Sequence, residues 1–424
     1  MKVAILTTFA DLDMSYSLCG VAVEQAAMCL ENGVDFSMFV LEEKACNHKS
    51  IDAHDWLKPH IRKEVPSAKL EEDVIDDDLV KRTSAFLEEI VKDYDVLITH
   101  DWMFITWNVS YNAAVREVAE QHPEVTWVHW VHSAPSERPS RLLGPAELRY
   151  TASPYSLYVY LNEEDRLRYA ESIGIDIGRV MVCYNPSDVA NFLGCDQKTA
   201  EFIRKHRLWD HDLMQVYPLS MPRATSKGLE KVVGIFGAWK QLGYRVKLVV
   251  VNAHFNAQRE KSSVQAYRDM GYHDWGLSQS DLVFTSLENG WDYSVPHSTV
   301  KKLLHLSNVF VFPTHSEACS RVLQEASLAG CFVIGNSSFK PMKEFLHPSV
   351  PSHAFCSARE TVNYSPSFNQ WIREVARATT PLLQHPMIRQ KSQAMRMFSR
   401  ETVWREQFLP ILENARQMAE VRHA

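Results

Sequence analysis

Short apolar runs alternate with helical patterns along the first half of the chain. The run KVAILTTF at residues 2–9 is followed by a helical pattern at Val21–Leu30, and further apolar runs come after it. Apolar runs of this length that alternate with helices are typical of buried strands in a parallel sheet covered on both faces. We therefore predict a doubly wound α/β fold for this half. The later runs are VDFSMFVL, YDVLITHDW, TWVHWVHSAP, LYVYLN and RVMVCYN.

The second half repeats the alternation. The run MQVYPLSM at residues 214–221 predicts a strand. Residues 228–243 then predict an amphipathic helix, whose apolar face is formed by Leu229, Val232, Val233 and Phe236. Further strands are predicted from RVKLVVVNA, DLVFTS, SNVFVFP and CFVIGN.

The two alternations are separated by the turn-forming residues Asn185-Pro186-Ser187-Asp188. We place the domain boundary there, with an N-terminal Rossmann-like domain at residues 1–187 and a C-terminal Rossmann-like domain at 188–399. A chain of 424 residues is long enough for two such cores. A long helical pattern from Ser399 to Val421 follows the second domain.

Composition places the chain among ordinary globular proteins, with 46% hydrophobic and 23% charged residues. A net charge of −7 gives no overall basic footprint for nucleic acid or an anionic membrane. Eight cysteines without a CxxC pair indicate free thiols in a reducing compartment. The first apolar run is too short for a signal peptide, and no run approaches the ~20 apolar residues of a membrane span. We therefore expect a cytoplasmic protein.

The strongest candidate for chemistry is the segment THSEACSRVLQEASLAG at residues 314–330, which lies between two apolar runs. A loop and a helix here would connect two parallel strands, so the loop lies at the carboxyl edge, where doubly wound folds bind ligands. The helix is expected to begin between Ser316 and Ser320, since either serine can cap it. Its first turn favours a phosphate. Glu317 would lie in the loop and Glu325 about two turns into the helix.

The residue types around this turn indicate a nucleotide sugar. Ala318, Cys319 and Ser320 are small, so a ligand can approach the backbone closely. Carboxylates accept hydrogen bonds from hydroxyl groups, so Glu317 would hold hydroxyls of a transferred sugar and Glu325 those of the ribose. The alternative is that both glutamates are solvated and have no role in binding.

This segment resembles the Glu-x7-Glu motif of retaining glycosyltransferases with the GT-B fold, in the large family numbered four. The likeness includes the flanking strands, Glu325-Ala326 and Gly330. The resemblance implies an α/β fold of GT-B type, with two Rossmann-like domains facing each other across a cleft. It also implies that the C-terminal helix, about residues 400–424, packs back on the N-terminal domain. Three further segments are similar in the same order: CGVAVEQAAMCLENGVDFSMFV, VMVCYNPSDVANF and MPRATSKGLEKVVGIFGAWKQLG.

The resemblance implies that the C-terminal domain binds the sugar donor. Lys227, just before Gly228 and a helix, would meet the diphosphate, and Arg223 would add a forked contact. Both would stabilise charge on the leaving nucleoside diphosphate. Gly20 would let the first loop approach the phosphates or the acceptor, a plain turn glycine being the alternative. The remaining residues assigned to the donor are Ala318, Cys319, Ser320, Arg321, Val322 and Glu325.

In the N-terminal domain, the candidate catalytic residues follow two apolar runs. By resemblance, His132 faces the donor sugar, as Glu317 does from the other domain. The alternative is that His132 is a structural histidine. His129 lies three residues earlier in the same run and could be confused with it. His100 and Asp101 end another run, where an aspartate could orient or deprotonate an acceptor hydroxyl or simply cap a loop.

We expect neither a metal nor another cofactor. The Asp-Leu-Asp at residues 11–13 is the metal-binding pattern of glycosyltransferases with the other major fold, and a single copy here is weak evidence for a metal site.

The expected function is retaining transfer of a sugar from a nucleoside diphosphate sugar to a hydroxyl of a glycan or lipid-linked glycan. Three alternatives stay open. The acceptor could be a hydroxymethylated base of phage DNA. The chain could instead be a nucleotide-sugar epimerase or hydrolase. It could also be a non-catalytic protein that binds nucleotide sugars.

Overall fold

The chain folds into two compact units in the computed structural model. Unit 1 comprises Met1–Ser187 and Phe398–Ala424, and unit 2 comprises Asp188–Met397. The structure describes residues 1–10, 12, 17–42, 55–133, 144–253, 257–292, 294–315, 317, 320–353, 355 and 366–423.

Unit 1 contains one parallel seven-stranded sheet. Its strands are β1 (Lys2–Leu6), β2 (Asp35–Leu41), β3 (Ile61–Val65), β4 (Val96–His100), β5 (Thr126–Trp130), β6 (Ser156–Tyr160) and β7 (Val180–Val182). Their order in the sheet is β3-β2-β1-β4-β5-β6-β7, which contains the 3-2-1-4-5-6 order of a Rossmann fold. The α-helices of this unit are α1 (Ser17–Glu31), α2 (Asp77–Ile90), α3 (Val109–Gln121), α4 (Arg166–Ile173), α14 (Arg400–Val403) and α15 (Leu409–His423). Its 3₁₀ turns are Lys58–His60, Thr106–Asn108, Gly144–Tyr150 and Ile177–Arg179.

Helices cover both faces of this sheet. Val3 and Ile5 of β1 lie in the core formed with α1 and the C-terminal helices, whereas Ala4 and Leu6 lie in the core formed with α2 and α3. Successive side chains of a strand point to opposite faces. A strand buried on both faces therefore reads as a continuous apolar run, as β1 and β4 do, whereas the edge strand β3 (IRKEV) is only partly buried and does not.

The C-terminal segment packs in the first of these cores. A π-helical turn, Trp404–Phe408, joins α14 to α15. Trp404, Phe408 and Leu412, spaced four residues apart, are all buried there. Arg400 adds ion pairs to Glu24 and Glu31 of α1, at 2.7 and 2.6 Å.

Unit 2 contains two parallel three-stranded sheets, ordered β10-β9-β8 and β11-β12-β13. The strands are β8 (Leu213–Ser220), β9 (Val246–Ala253), β10 (Leu282–Phe284), β11 (Val309–Phe312), β12 (Phe332–Asn336) and β13 (Ser352–His353). The α-helices are α5 (Val189–Phe192), α6 (Gln197–Lys205), α7 (Leu229–Gln241), α8 (Ala257–Asp269), α9 (His297–Leu304), α10 (Arg321–Leu328), α11 (Met342–Phe345), α12 (Pro366–Thr379) and α13 (Pro386–Phe398). Shorter turns are the 3₁₀ segments Met221–Arg223, Thr285–Leu287 and Thr380–Gln384 and the π segment Met270–Asp274.

Side chains join the two sheets of unit 2 between β8 and β11. The amide nitrogen of the Gln215 side chain donates to the carbonyl oxygen of Val311 at 3.0 Å, and the backbone N–H of Val311 donates to Gln215 Oε1 at 2.8 Å. Asn308 Oδ1 accepts from the backbone N–H of Met214 at 2.8 Å. The combined order β10-β9-β8-β11-β12-β13 is again 3-2-1-4-5-6. The predicted α/β class with two Rossmann-like domains is therefore confirmed.

Helix α7 differs from the sequence prediction. An amphipathic helix was expected, but residues 229–239 are all buried, including Glu230 and Lys231. One side of the helix packs in the core of the sheet, and α12 and Trp275 cover another side. Trp275 approaches so closely that a Cβ built on Gly237 would lie 2.3 Å from the Trp275 Cβ. A helix covered by a second layer is buried all round, so the amphipathic interpretation was wrong.

Candidate functional site

The candidate site of unit 2 lies where its strand order reverses. Beyond β8 the sheet continues through β9, and beyond β11 it continues through β12 on the other side. The chains that leave β8 and β11 therefore turn away from each other, and open α/β sheets bind ligands in the crevice that results. Residues 221–228 follow β8 and residues 313–320 follow β11.

An ion pair links these two loops: the Lys227 ammonium contacts the Glu317 carboxylate. Both side chains are largely buried, with 13% and 11% of their surface exposed. Burial and the neighbouring Arg223 lower the pKa of Lys227 to about 8. Contact with the carboxylate acts in the opposite direction and favours the ammonium form. Lys227 is therefore an ammonium group at neutral pH.

Backbone contacts hold the two loops together around this pair. The backbone N–H of His315 donates to the carbonyl oxygen of Ser226 at 3.2 Å. The Tyr217 hydroxyl, from β8, donates to the carbonyl oxygen of Lys227 at 2.6 Å. These bonds hold the backbone from which the Lys227 side chain extends.

Glycine is required at residue 228. Gly228 has a φ of +69°, a left-handed conformation that few other residues adopt. A Cβ built there would lie 2.8 Å from Pro313 Cγ and 3.2 Å from the Pro313 carbonyl oxygen. Gly228 also forms the N-cap of α7, so it combines a turn, a helix start and a close contact with the neighbouring loop.

The second glutamate lies in helix α10. This helix begins at Arg321, and the Ser320 side chain accepts from the Leu323 backbone N–H at 3.3 Å as its N-cap. Glu325 therefore lies only about one turn from the helix start, and the expected two turns were wrong. Its Oε1 lies 2.8 Å from His297 Nε2 and 3.6 Å from Arg321 Nη2. His297, the first residue of α9, was not predicted, because nothing in the sequence pairs it with Glu325.

The other residues predicted to bind the sugar donor have different positions. Arg223 ends a 3₁₀ turn, is exposed, and accepts the Lys227 backbone N–H at its carbonyl oxygen. Arg321 is exposed at the start of α10, and Val322 packs partly buried against the core of unit 2. Ala318 and Cys319 lie outside the described residues.

The prediction of a loop at Gly20 was wrong. Gly20 is the fourth residue of α1, which begins at Ser17, so it lies within a helical turn. The predicted helix begins at Val21, whereas α1 begins four residues earlier, at Ser17.

A buried polar cluster on the two elements that carry the ion pair was not predicted. Lys231 is fully buried on α7, and its Nζ lies 3.1 Å from His315 Nε2 and 3.6 Å from Glu230 Oε1. Burial raises the pKa of Glu230. The cluster joins the start of α7 to the loop that carries Glu317, so it supports the geometry of the ion pair. A sequence pattern cannot separate such residues from an exposed first helical turn.

In unit 1, the predicted residues His100, Asp101 and His132 come together at the carboxyl edge of the sheet. Asp101 follows β4 with a φ of +57°, and its Oδ1 accepts from the His132 backbone N–H at 2.9 Å. Burial raises the pKa of Asp101 to about 6, although N–H groups of His132 and Ser133 lower it. Asp101 Oδ2 is buried and has no hydrogen-bond partner among the described residues.

The two histidines form a short hydrogen-bonded chain. His100 Nδ1 lies 2.9 Å from His132 Nε2, and His100 Nε2 lies 3.0 Å from Gln25 Oε1 on α1. Burial lowers the pKa of His132 to about 4 and that of His100 well below its usual value. Both rings are therefore neutral at pH 7. His129 differs, since it is buried between Thr99 Oγ1 and Ser156 Oγ and has a structural role.

Within the described ranges, no group of three or more His, Cys, Asp or Glu side chains is placed to hold a metal ion. Asp11 and Asp13 of the Asp-Leu-Asp pattern lie outside those ranges. The five described cysteines are free thiols: Cys19, Cys29, Cys183, Cys195 and Cys331. Among the described helices, none combines the length and apolar character needed to cross a bilayer.

Comparison with known proteins gives similarity to solved structures alone; no protein-family model and no curated sequence matches this chain. HepE from Anabaena, in complex with UDP, has 12% identity and a TM-score of 0.37, with 98% of this chain and 100% of that chain covered. A glycosyltransferase from Rickettsia africae has 14% identity and a TM-score of 0.40, with 98% of each chain covered. Sucrose-phosphate synthase from Thermosynechococcus elongatus has 16% identity and a TM-score of 0.33, with 99% of each chain covered.

Proposed function

We propose that this chain is a retaining glycosyltransferase of GT-B type. It moves a sugar from a nucleoside diphosphate sugar to a hydroxyl group of a glycan or lipid-linked glycan, without a metal or other cofactor. The observation that carries the proposal is the Lys227–Glu317 ion pair at the reversal point of the unit 2 sheet. An ammonium group suits a diphosphate, and a carboxylate in contact with it suits the hydroxyls of the attached sugar.

Binding of the sugar donor would exchange partners within this pair. Lys227 would release the Glu317 carboxylate and contact the diphosphate, and Glu317 would then accept hydrogen bonds from sugar hydroxyls. The two charges are paired with each other before binding. Afterwards Lys227 would be paired with the diphosphate, and the Glu317 carboxylate would be hydrogen-bonded by sugar hydroxyls. Such an exchange avoids leaving an unpaired buried charge, which would be strongly destabilising.

Glu325 would bind the ribose. Its carboxylate is 18% exposed, and His297 and Arg321 both approach Oε1. Two neighbouring hydroxyls on one ribose can each donate to a carboxylate, which has room for about four hydrogen bonds. The start of α10 adds backbone N–H groups and a positive helix end near the phosphates.

The chemical step would depend on charge stabilisation. Lys227 and Arg223 would stabilise the negative charge that develops on the departing nucleoside diphosphate. Asp101 of unit 1, with a pKa of about 6, is a carboxylate at neutral pH and can accept a proton from an acceptor hydroxyl. In our proposal the departing phosphate can take the same proton, and the sugar keeps its anomeric configuration.

Product analysis tests this function. The protein would be incubated with each nucleoside diphosphate sugar, with and without a panel of saccharides, polyprenyl-linked glycans and hydroxymethylated DNA. We expect release of nucleoside diphosphate only with a glycan acceptor, and proton NMR of the product should show the anomeric configuration of the sugar donor. Consumption of sugar donor without acceptor would indicate a hydrolase or epimerase. Inversion would contradict the retaining mechanism, and transfer to DNA would contradict the proposed acceptor.

Site variants connect the activity to the geometry. Glu317→Gln and Glu325→Gln keep the side-chain size and remove the charge, so both should lose transfer. Glu344→Gln makes the same change on an exposed helical position of unit 2 and is the matched control. Equal activity in all three variants would contradict the assignment of the two glutamates.

A further inference from the structure

Gln25 is a polar residue in an apolar setting. It is fully buried on α1, and the core on that side of unit 1 includes Ala22, Ala26 and Met28. Burial of an amide is unfavourable unless it is hydrogen-bonded. Gln25 Oε1 lies 3.0 Å from His100 Nε2, whereas Gln25 Nε2 is buried without a hydrogen-bond partner in the described part of the chain. The contact with His100 is therefore what Gln25 contributes at this position.

The hydrogen bonds define which ring nitrogens carry protons. Gln25 Oε1 only accepts, so His100 Nε2 must carry the proton that it donates. A neutral imidazole has one N–H, so His100 Nδ1 is then an acceptor. His132 Nε2, 2.9 Å away, must therefore donate to it, which leaves His132 Nδ1 without a proton.

We infer that Gln25 is a positioning residue that acts through His100 to hold His132 in the tautomer with a protonated Nε2 and a bare Nδ1. His132 Nδ1 is buried and has no hydrogen-bond partner among the described residues. It is therefore an acceptor ready for a donor such as a hydroxyl group. That the hydroxyl belongs to a bound sugar rests on the proposed function; the tautomer itself does not.

The surrounding groups are consistent with neutral rings. Asp101 is the charged group that contacts His132, and its Oδ1 binds the backbone N–H, not the ring. His100 on the neighbouring strand is the ring partner. Burial lowers the pKa of both histidines. A charged His132 would carry a proton on both nitrogens, so neutrality is needed for a bare Nδ1.

The test compares Gln25→Met with Ser156→Ala. Met has about the length of Gln but cannot accept from His100, so the chain of hydrogen bonds loses its fixed end. Ser156→Ala instead removes one hydrogen-bond partner of His129, another buried histidine on the same sheet. His129 does not belong to the hydrogen-bonded series Gln25–His100–His132. A loss of stability alone should therefore affect both variants, whereas a tautomer change should affect only Gln25→Met.

The readout is a long-range proton–nitrogen correlation spectrum of protein labelled with ¹⁵N-histidine, which separates protonated from bare ring nitrogens. His132→Gln assigns the His132 signals by their absence. We expect a bare Nδ1 and a protonated Nε2 for His132 in the wild-type chain and in Ser156→Ala. In Gln25→Met, His132 Nδ1 should become partly or wholly protonated. A protonated Nδ1 in the wild-type chain, or unchanged His132 signals in Gln25→Met, would overturn the inference.

A kinetic experiment measures the consequence. If a neutral hydrogen bond from a sugar hydroxyl to Nδ1 is lost, kcat/KM for transfer should fall by about tenfold in Gln25→Met and stay within about twofold of wild type in Ser156→Ala. The two proposals fail separately. Absence of any transfer by the wild-type chain would sink the proposed function and leave the spectroscopic result to decide the tautomer. An unchanged spectrum in Gln25→Met would reject the role of Gln25 even in an active glycosyltransferase.

Discussion

The Asp101→Asn variant isolates the charge of the buried carboxylate. Asparagine has the same shape, and its side-chain oxygen can keep the hydrogen bond from the His132 backbone N–H. Asparagine also tolerates the left-handed backbone that Asp101 adopts, at a φ of +57°. The substitution therefore changes charge and hydrogen-bond donation at one buried position of unit 1.

The magnitude follows from the pKa of Asp101. Burial raises this pKa from 3.8 to about 6. The contribution of Asp101 to the free energy of unfolding therefore changes by about 3 kcal/mol between low and high pH. The folded-state pKa is the higher one, so folding favours the protonated acid. That favourable contribution is fully present below pH 3.8 and is lost as pH rises through about 6. Above that pH, the wild-type chain bears the full penalty of a buried carboxylate, which asparagine lacks.

We therefore expect Asp101→Asn to stabilise unit 1 at pH 7.5 by up to about 3 kcal/mol and to have little effect near pH 4. Hydrogen exchange measured by mass spectrometry on peptides from β4 and β5 gives the local free energy of opening at each pH. The buried histidines have lowered pKa values, so they destabilise the fold as pH falls below about 6.5. They are present in both proteins, so their effect cancels when the free energies of opening of the variant and the wild type are subtracted. Transfer activity should nevertheless fall, because Asn cannot accept the proton of the acceptor hydroxyl and the departing phosphate is then the remaining proton acceptor.

Asp93→Asn is the matched control, since Asp93 is exposed on the same unit. The free energy of opening in Asp93→Asn should differ from that of the wild type by about zero at every pH between 4 and 7.5. A destabilised Asp101→Asn at pH 7.5, or a difference from wild type that does not change between pH 4 and 7.5, would refute the reasoning. The burial of Asp101 would then be compensated by an interaction that the structure does not contain.

Three further predictions concern unit 2. Gly228→Ala should destabilise this unit by about 1–3 kcal/mol in urea unfolding, because the added Cβ meets Pro313 and the backbone is left-handed; a neutral effect would show that the two loops can separate freely. Lys227→Met should lower the free energy of unfolding by about 3 kcal/mol, because it leaves Glu317 buried and unpaired. A second substitution, Glu317→Leu, should restore part of that loss, whereas additive losses would contradict the buried pair. Ser320→Ala should lower the free energy of unfolding by about 1 kcal/mol through loss of the α10 cap. Its affinity for the sugar donor, measured by calorimetric titration, should fall less than that of Lys227→Met. An equal loss of affinity would give Ser320 a direct role in binding.

The fold was predictable because most strands of both units are buried. Those strands appear as apolar runs in the sequence, and the turn at residues 185–188 lies between the two sets. The edge strand β3, whose sequence is IRKEV, does not appear as such a run. The burial of α7 was not predictable, because its apolar periodicity cannot reveal the second layer formed by α12 and Trp275. Gly20 was misplaced for a related reason: glycine has a low intrinsic helix propensity, yet it lies within α1 because the tertiary fold overrides that preference.

The roles of the site residues stay predictions. Glu317 was singled out from its expected position in a loop at the carboxyl edge and Lys227 from the resemblance. Their contact depends on the adjacency of β8 and β11, which lie about 90 residues apart in the chain. Two serines could cap α10, and the hydrogen bond from the Leu323 N–H selects Ser320. Gln25 left no sign in the sequence, since a polar residue on a predicted helix is usually exposed.

Thermal unfolding of the full chain against a panel of nucleoside diphosphate sugars tests the central claim most directly. A ligand at one hundred times its dissociation constant stabilises the native state by about 2.7 kcal/mol, which raises the melting temperature by a few degrees in units of this size. We predict such a rise with one nucleotide, in the wild-type chain and in Glu344→Gln, and its loss in Glu325→Gln. No rise with any nucleoside diphosphate sugar, or an equal rise in Glu325→Gln, would contradict the proposed site.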